Sequence, residues 1–232
     1  MNPLHEQIRA LPASVEFLIV ISWAFGLPIF HSILSIGQAD IPPLQLTNAG
    51  LIAILIVELM QSLFLIWFLR IRGWTLEKLG LGVTFRGTAY GVALIIITLA
   101  TLWVVQRLAQ WALPIDMEAA VARYPTASPN LSMHLVFLVS TVNGIFEEVF
   151  VAGYVITALA PVRGMWTGIN VSTGVRLLYH LYQGPMGILS VVPVGLLFGY
   201  VYARSRQLWP LILAHIVIGI IDLSLGPSGN PP

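Results

Sequence analysis

The sequence contains no cysteine, so disulfide bonds, thiolate metal sites and cysteine nucleophiles are all excluded. Charge is scarce as well. Only 9% of the 232 residues are Asp, Glu, Lys or Arg, against about 25% in a typical soluble domain. No basic patch with interleaved aromatics appears, so nucleic acid is not an expected partner. The net charge of +1 points to no acidic partner either. HExxH, GxSxG and glycine-rich phosphate loops are absent, as are internal repeats and low-complexity tracts.

What the chain has instead is apolar surface, with 57% of its residues hydrophobic. A soluble fold of this length would leave large apolar areas facing water, which monomers avoid. Lipid removes that problem. A span needs about 20 mostly apolar residues, because the hydrocarbon core is about 30 Å thick and a helix rises about 1.5 Å per residue. Seven stretches qualify: Val15–Ile36, Asn48–Leu69, Thr88–Ala112, Leu131–Leu159, Met165–Tyr182, Met186–Ala203 and Trp209–Leu225. Turn-forming segments separate them: Gly37–Pro43, Arg70–Gly87, Leu113–Asn130, Ala160–Gly164, Gln183–Pro185 and Arg204–Leu208. The first run has no small-residue cleavage pattern after it and reads as a retained span. The Gly/Pro-rich tail Gly226–Pro232 is expected to be disordered. The chain therefore reads as an all-α, polytopic transmembrane helix bundle of about seven spans. It forms one membrane domain over residues 1–232, set in the lipid of the cell membrane. Its oligomeric state is not legible.

Lys and Arg are enriched in cytoplasmic loops. With the N-terminus inside, Arg9, Arg70, Arg72, Lys78, Arg86, Arg163, Arg204 and Arg206 all fall inside. Only Arg107 and Arg123 fall outside, and Arg176 lies within a span. The C-terminus is then outside. Gly73–Gly82, with Trp74, Leu76, Leu79 and Leu81 beside Glu77 and Lys78, suits either a short amphipathic helix on the cytoplasmic surface or an ordered loop.

Ionisable groups at membrane depth are costly, at about 2.5–3.5 kcal/mol or more at a helix centre, so they mark function. Glu58 lies in span two, with no evident partner. Glu147 and Glu148 lie in span four, Arg176 and His180 in span five, His215 and Asp222 in span seven. Apart from Glu58 these sit on three late helices, which suggests one buried polar site. Adjacent residues on a helix point about 100° apart, so one glutamate can face a cavity while the other pairs with a neighbouring helix. Arg176 and His180 share a face at i and i+4. His215 and Asp222 share one at i and i+7. Arg176 is the cation available to neutralise a glutamate. His5, His31 and His134 lie in the soluble lead or near span ends.

Three motifs occur in order on successive late spans: Glu147-Glu148 followed by Gly153, Arg176-Leu-Leu-Tyr-His180-Leu-Tyr-Gln-Gly184, and Leu208-Trp-Pro-Leu-Ile-Leu-Ala-His215. Together they resemble the CPBP family, the CAAX-protease and bacteriocin-processing (Abi) intramembrane proteases that include the Rce1-type enzymes. The resemblance covers roughly residues 140–225, with a catalytic core over about 131–225. It implies an intramembrane endopeptidase in which Glu147 and His180 activate a water. His215 is then an oxyanion donor, and Glu148 a second or structural carboxylate. The substrate it implies is a peptide or protein, lipidated or not. No cofactor is expected, and zinc held by Glu147, His180 and His215 is the less favoured alternative. Two positions depart from the family pattern: Ala152 where the first motif usually carries arginine, and Gly219 where the third carries Asn or Asp. Arg176 is expected to replace the missing charge, and Asp222 to orient His215. Two other readings compete: a catalytically silent relative acting as a membrane binding or immunity factor, and a small transporter with a proton relay. The transporter is disfavoured because no pair of broken helices repeats.

Overall fold

A computed structural model describes residues 3–36, 44–112 and 125–225. The tail Gly226–Pro232, Arg123, the segment Gly37–Pro43 and most of Leu113–Asn130 lie outside the described residues. A short amphipathic helix, α1 (Pro3–Ala10), precedes the apolar helices α2 (Ala13–Ile36), α3 (Asn48–Ile71) and α4 (Phe85–Ala112). Next comes α5 (Met133–Glu147), which runs through a π-helical stretch, Glu148–Tyr154, into α6 (Val155–Arg163). Last come α7 (Met165–His180), a 3-10 turn at Leu181–Gln183, α8 (Gly184–Ser205) and α9 (Trp209–Leu225). One two-residue parallel pair, Gln45–Leu46 with Thr126–Ala127, ties together the connections that precede α3 and α5.

The fold is all-helical, as its apolar runs dictate. Five segments are long and apolar enough to cross a membrane: α2, α3, α4, the continuous α5–α6 rod of 31 residues, and the 41-residue stretch Met165–Ser205. Leu181–Gln183 breaks the last of these into the hairpin α7–α8, and α9 is a shorter apolar helix. Seven apolar helical units result, consistent with the expected count. Large apolar side chains point outward along them, among them Leu27, Phe30, Leu63 and Ile96. Such a surface suits lipid rather than water.

Boundaries follow local chemistry. Thr47 caps α3 by accepting from the Gly50 amide, 3.1 Å away. The expected turn at Ala160–Gly164 shrinks to Gly164, whose φ of 90° a side chain would strain. Gly184, at φ 67°, likewise allows the reversal into α8.

Of the two readings of Gly73–Gly82, an amphipathic helix or an ordered loop, the structure has the loop, built of turns. Trp74 and Leu79 turn inward and are buried while Leu76 stays exposed, and Gly80 and Gly73 take positive φ. Trp74 donates from its indole to Glu16 Oε1 at 2.9 Å, while Arg72 pairs with Glu16 Oε2. Tyr154 also donates to Glu16 Oε1, at 3.1 Å. One buried carboxylate on α2 thus pins the loop after α3 to the π-helical stretch. The Leu208 amide donates to the Gly80 carbonyl at 2.9 Å, which joins the same loop to the start of α9. These bonds close the end of the bundle that carries most of the Lys and Arg.

At the opposite end the contacts are of another kind. Asn48 on α3 donates to the Asn130 carbonyl and accepts from the Ser132 amide, so α3 and α5 start side by side. Ser32, near the end of α2, accepts from the Tyr182 amide at 2.9 Å. The 16 residues of α7 rise only about 24 Å. That is less than the hydrocarbon thickness of about 30 Å.

Candidate active site

The short α7 brings His180 down to the level of the acids. A cavity of about 390 Å³ is lined by Glu147, Arg176, His180, His215, Asp222 and Gly219, together with apolar side chains. The three late spans expected to share a polar site do share one. Glu148, the adjacent acid, points elsewhere and is fully buried.

The two acids are held by one cation. Arg176 donates through Nη1 to Glu147 Oε2 at 3.2 Å and through Nη2 to Glu148 Oε1 at 2.8 Å. Arg176 is 5% exposed, so this is a buried bridge rather than a surface pair. Such a triad repays its desolvation only when further hydrogen bonds satisfy the remaining atoms. For Glu147 they are present. The Tyr179 hydroxyl donates to Glu147 Oε2 at 2.5 Å. The Asn143 amide donates to Glu147 Oε1 at 3.2 Å. Tyr179 is itself clamped by Phe25 of α2, whose ring stacks on it with centroids 4.9 Å apart.

Both histidines have a fixed proton. His180 Nδ1 lies 2.9 Å from the Arg176 carbonyl. A carbonyl can only accept, so Nδ1 carries the hydrogen and Nε2 keeps a lone pair. His215 Nδ1 lies 2.7 Å from Glu148 Oε1. It donates there, which leaves Nε2 as the working atom. Asp222, on one face of α9 with His215, lines the same cavity.

Close approach of α5 and α9 makes the His215–Glu148 contact reachable. A Cβ at Gly144 would sit 2.9 Å from Ile216 Cγ1 and 3.5 Å from His215 Cβ. Gly219, one turn further along α9, faces Ser140, one turn back along α5. The π-helical stretch begins at Glu148. Widening the helix there inserts a residue into the turn and changes which side chains face inward, as π-bulges at functional sites do. Ala152 lies inside that stretch, 1% exposed among apolar neighbours. The charge absent at Ala152 reaches the acids from α7 as Arg176.

Two residues of the site were not legible as members of it. Glu58, on α3, accepts from Asn143 Nδ2 at 2.7 Å. Asn143 therefore bridges two carboxylates, Glu58 and Glu147. Its place one turn before Glu147 was the available signal; for Glu58 the signal was a carboxylate at membrane depth, with nothing to name its partner. Among the described residues no group of three or more His, Asp and Glu side chains is set to hold a metal ion.

Residues 129–221 match the family model described as type II CAAX prenyl endopeptidase Rce1-like. Neither the curated proteins nor the solved structures gave a significant match to the chain.

Proposed function

With residues 129–221 forming an Rce1-like domain of an integral membrane protein, we propose that this chain is an intramembrane endopeptidase using Glu147, His180 and His215. Hydrolysis of an amide needs an activated water, a donor for the oxyanion and a proton for the leaving amine. Glu147, backed by the lone pair of His180 Nε2, takes a proton from water as it attacks the scissile carbonyl. The new C–O bond places negative charge on the carbonyl oxygen, and His215, held as the imidazolium by its Nδ1–H bond to Glu148, donates to it from Nε2–H. Collapse of the adduct breaks the C–N bond. The amine leaves with the proton that the water gave up. Glu148 and Arg176 touch no substrate in this scheme. Glu148 sets the His215 ring, and Arg176 holds both acids.

The observation that carries the reading is the shared cavity. Glu147 and two Nδ1-tethered histidines line it together, on three different helices. Purified protein in proteoliposomes should cleave a membrane-associated peptide reporter, and Glu147→Gln should abolish cleavage without unfolding. Gly219 is the observation favouring the alternative, a silent binding or immunity factor. That alternative predicts no cleavage by the unaltered chain and unchanged partner binding by Glu147→Gln.

A further inference from the structure

We propose that the site receives its substrate from the face of the membrane opposite the cytoplasm; this rests on the protease reading given above. Two independent observations meet here. The first is where the cavity lies along the bundle. Its lining comes from the first turns of α3 (Leu51, Ile54), the last turns of α4 (Leu102, Gln106) and the first half of the continuous α5–α6 rod (Val139, Ser140, Asn143, Glu147). The lining also includes Leu46, Pro125 and Ala127, from the connections that precede α3 and α5. All of these lie toward one end. The second observation is charge. Arg70, Arg72, Lys78, Arg86, Arg163, Arg204 and Arg206 cluster at the other end, in or beside the connections α3–α4, α6–α7 and α8–α9. A bundle with that asymmetry is oriented with its basic end in the cytoplasm.

The basic end is also shut. Glu16, Arg72, Trp74 and Tyr154 bond to one another there, and the Leu208–Gly80 hydrogen bond seals the neighbouring connection. Tyr202 closes the gap behind them, donating to the Leu79 carbonyl at 3.0 Å while 0% exposed. No lining residue of the cavity comes from these connections. A polypeptide approaching from the cytoplasm would meet this packed layer before any polar side chain of the site. Toward the opposite face the described lining runs from Glu147 and His180 to Leu46, Pro125 and Ala127.

The substrate class follows. It is a polypeptide segment exposed on, or emerging at, the non-cytoplasmic surface, with apolar residues near the scissile bond. Leu51, Ile54, Leu102, Val191 and Leu223 form the apolar wall that would receive them, opposite the polar floor. A cavity of this size takes only a few residues at a time. A cytoplasmic chain end is the wrong substrate for this geometry.

The chain has no cysteine, so single cysteines can be read one at a time. In intact cells carrying the full chain in the plasma membrane, a membrane-impermeant maleimide should label Ala127→Cys and Asn130→Cys. Lys78→Cys and Arg204→Cys should label only after permeabilisation, with at least a tenfold difference between the two conditions. The reverse pattern overturns the proposal. Labelling of Asn130→Cys but never of Ala127→Cys, even after detergent solubilisation, overturns it also, because the cavity mouth would then not be open there. Labelling does not depend on catalysis. An inactive chain with this pattern sinks the protease reading alone, and an active chain with the reverse pattern sinks this proposal alone.

Discussion

Replacing Arg176 by Leu isolates the interaction on which the site depends. Two carboxylates, 7% and 0% exposed, would lose their shared cation. They would not lose equally. Glu147 keeps Tyr179 and Asn143 as donors and borders the cavity. Glu148 keeps only the His215 ring and sees no water-facing surface. Breaking a buried pair by removing one partner costs about 3–5 kcal/mol, most of it the uncompensated charge left behind. That is roughly two to more than three orders of magnitude in the folding equilibrium. The cost should fall mainly on Glu148. Adding Glu148→Leu to Arg176→Leu should therefore restore part of the loss, since the orphaned charge goes with it. Unfolding of the three variants in detergent, followed by denaturant titration, reads this directly. If the double variant equals the sum of the singles, Arg176 and Glu148 are energetically independent and the reasoning fails.

Gly144→Leu should push α9 away from α5, because even a Cβ there meets Ile216 at 2.9 Å; cleavage should fall at least tenfold. Wild-type activity in this variant would show that the Glu148–His215 contact is not needed. Glu58→Leu should lower kcat several-fold with little change in KM, since Asn143 then loses the acceptor that fixes its amide against Glu147. Glu58→Gln keeps an acceptor oxygen and should recover most of that loss; equal damage by both substitutions would remove Glu58 from the positioning role.

Sequence patterning exposes some of these relationships and hides others, for physical reasons. Apolar runs are visible because a span must satisfy its backbone internally and face lipid along its whole length. Glu147, Glu148, Arg176, His180 and His215 stand out because charge at that depth is costly. Glu58 stands out too, but its partner Asn143 is 85 residues away on another helix, and no period links them. Glu16 hides for a different reason. It lies three residues inside α2, where an interfacial acid would be unremarked, and only packing shows it bonded to Arg72, Trp74 and Tyr154. The loop at Gly73–Gly82 carries an amphipathic pattern. Its glycines allow turns, and the Trp74–Glu16 bond draws Trp74 into the bundle instead of onto a lipid surface. The π-helical stretch leaves no trace in composition, because an inserted turn residue looks like any other apolar one.

The most direct test of the account is whether Glu147 and His180 act as one unit. Purified wild-type protein, Glu147→Gln, His180→Ala and the double variant would be compared for cleavage of one reporter peptide in proteoliposomes. Residues that share a catalytic step are grossly non-additive. Each single variant should lose about 10²-fold or more in kcat, typical of general acid–base groups. The double variant should be no worse than the poorer single. Losses that multiply, or a Glu147→Gln variant that cleaves at the wild-type rate, would contradict a shared water held between these two side chains.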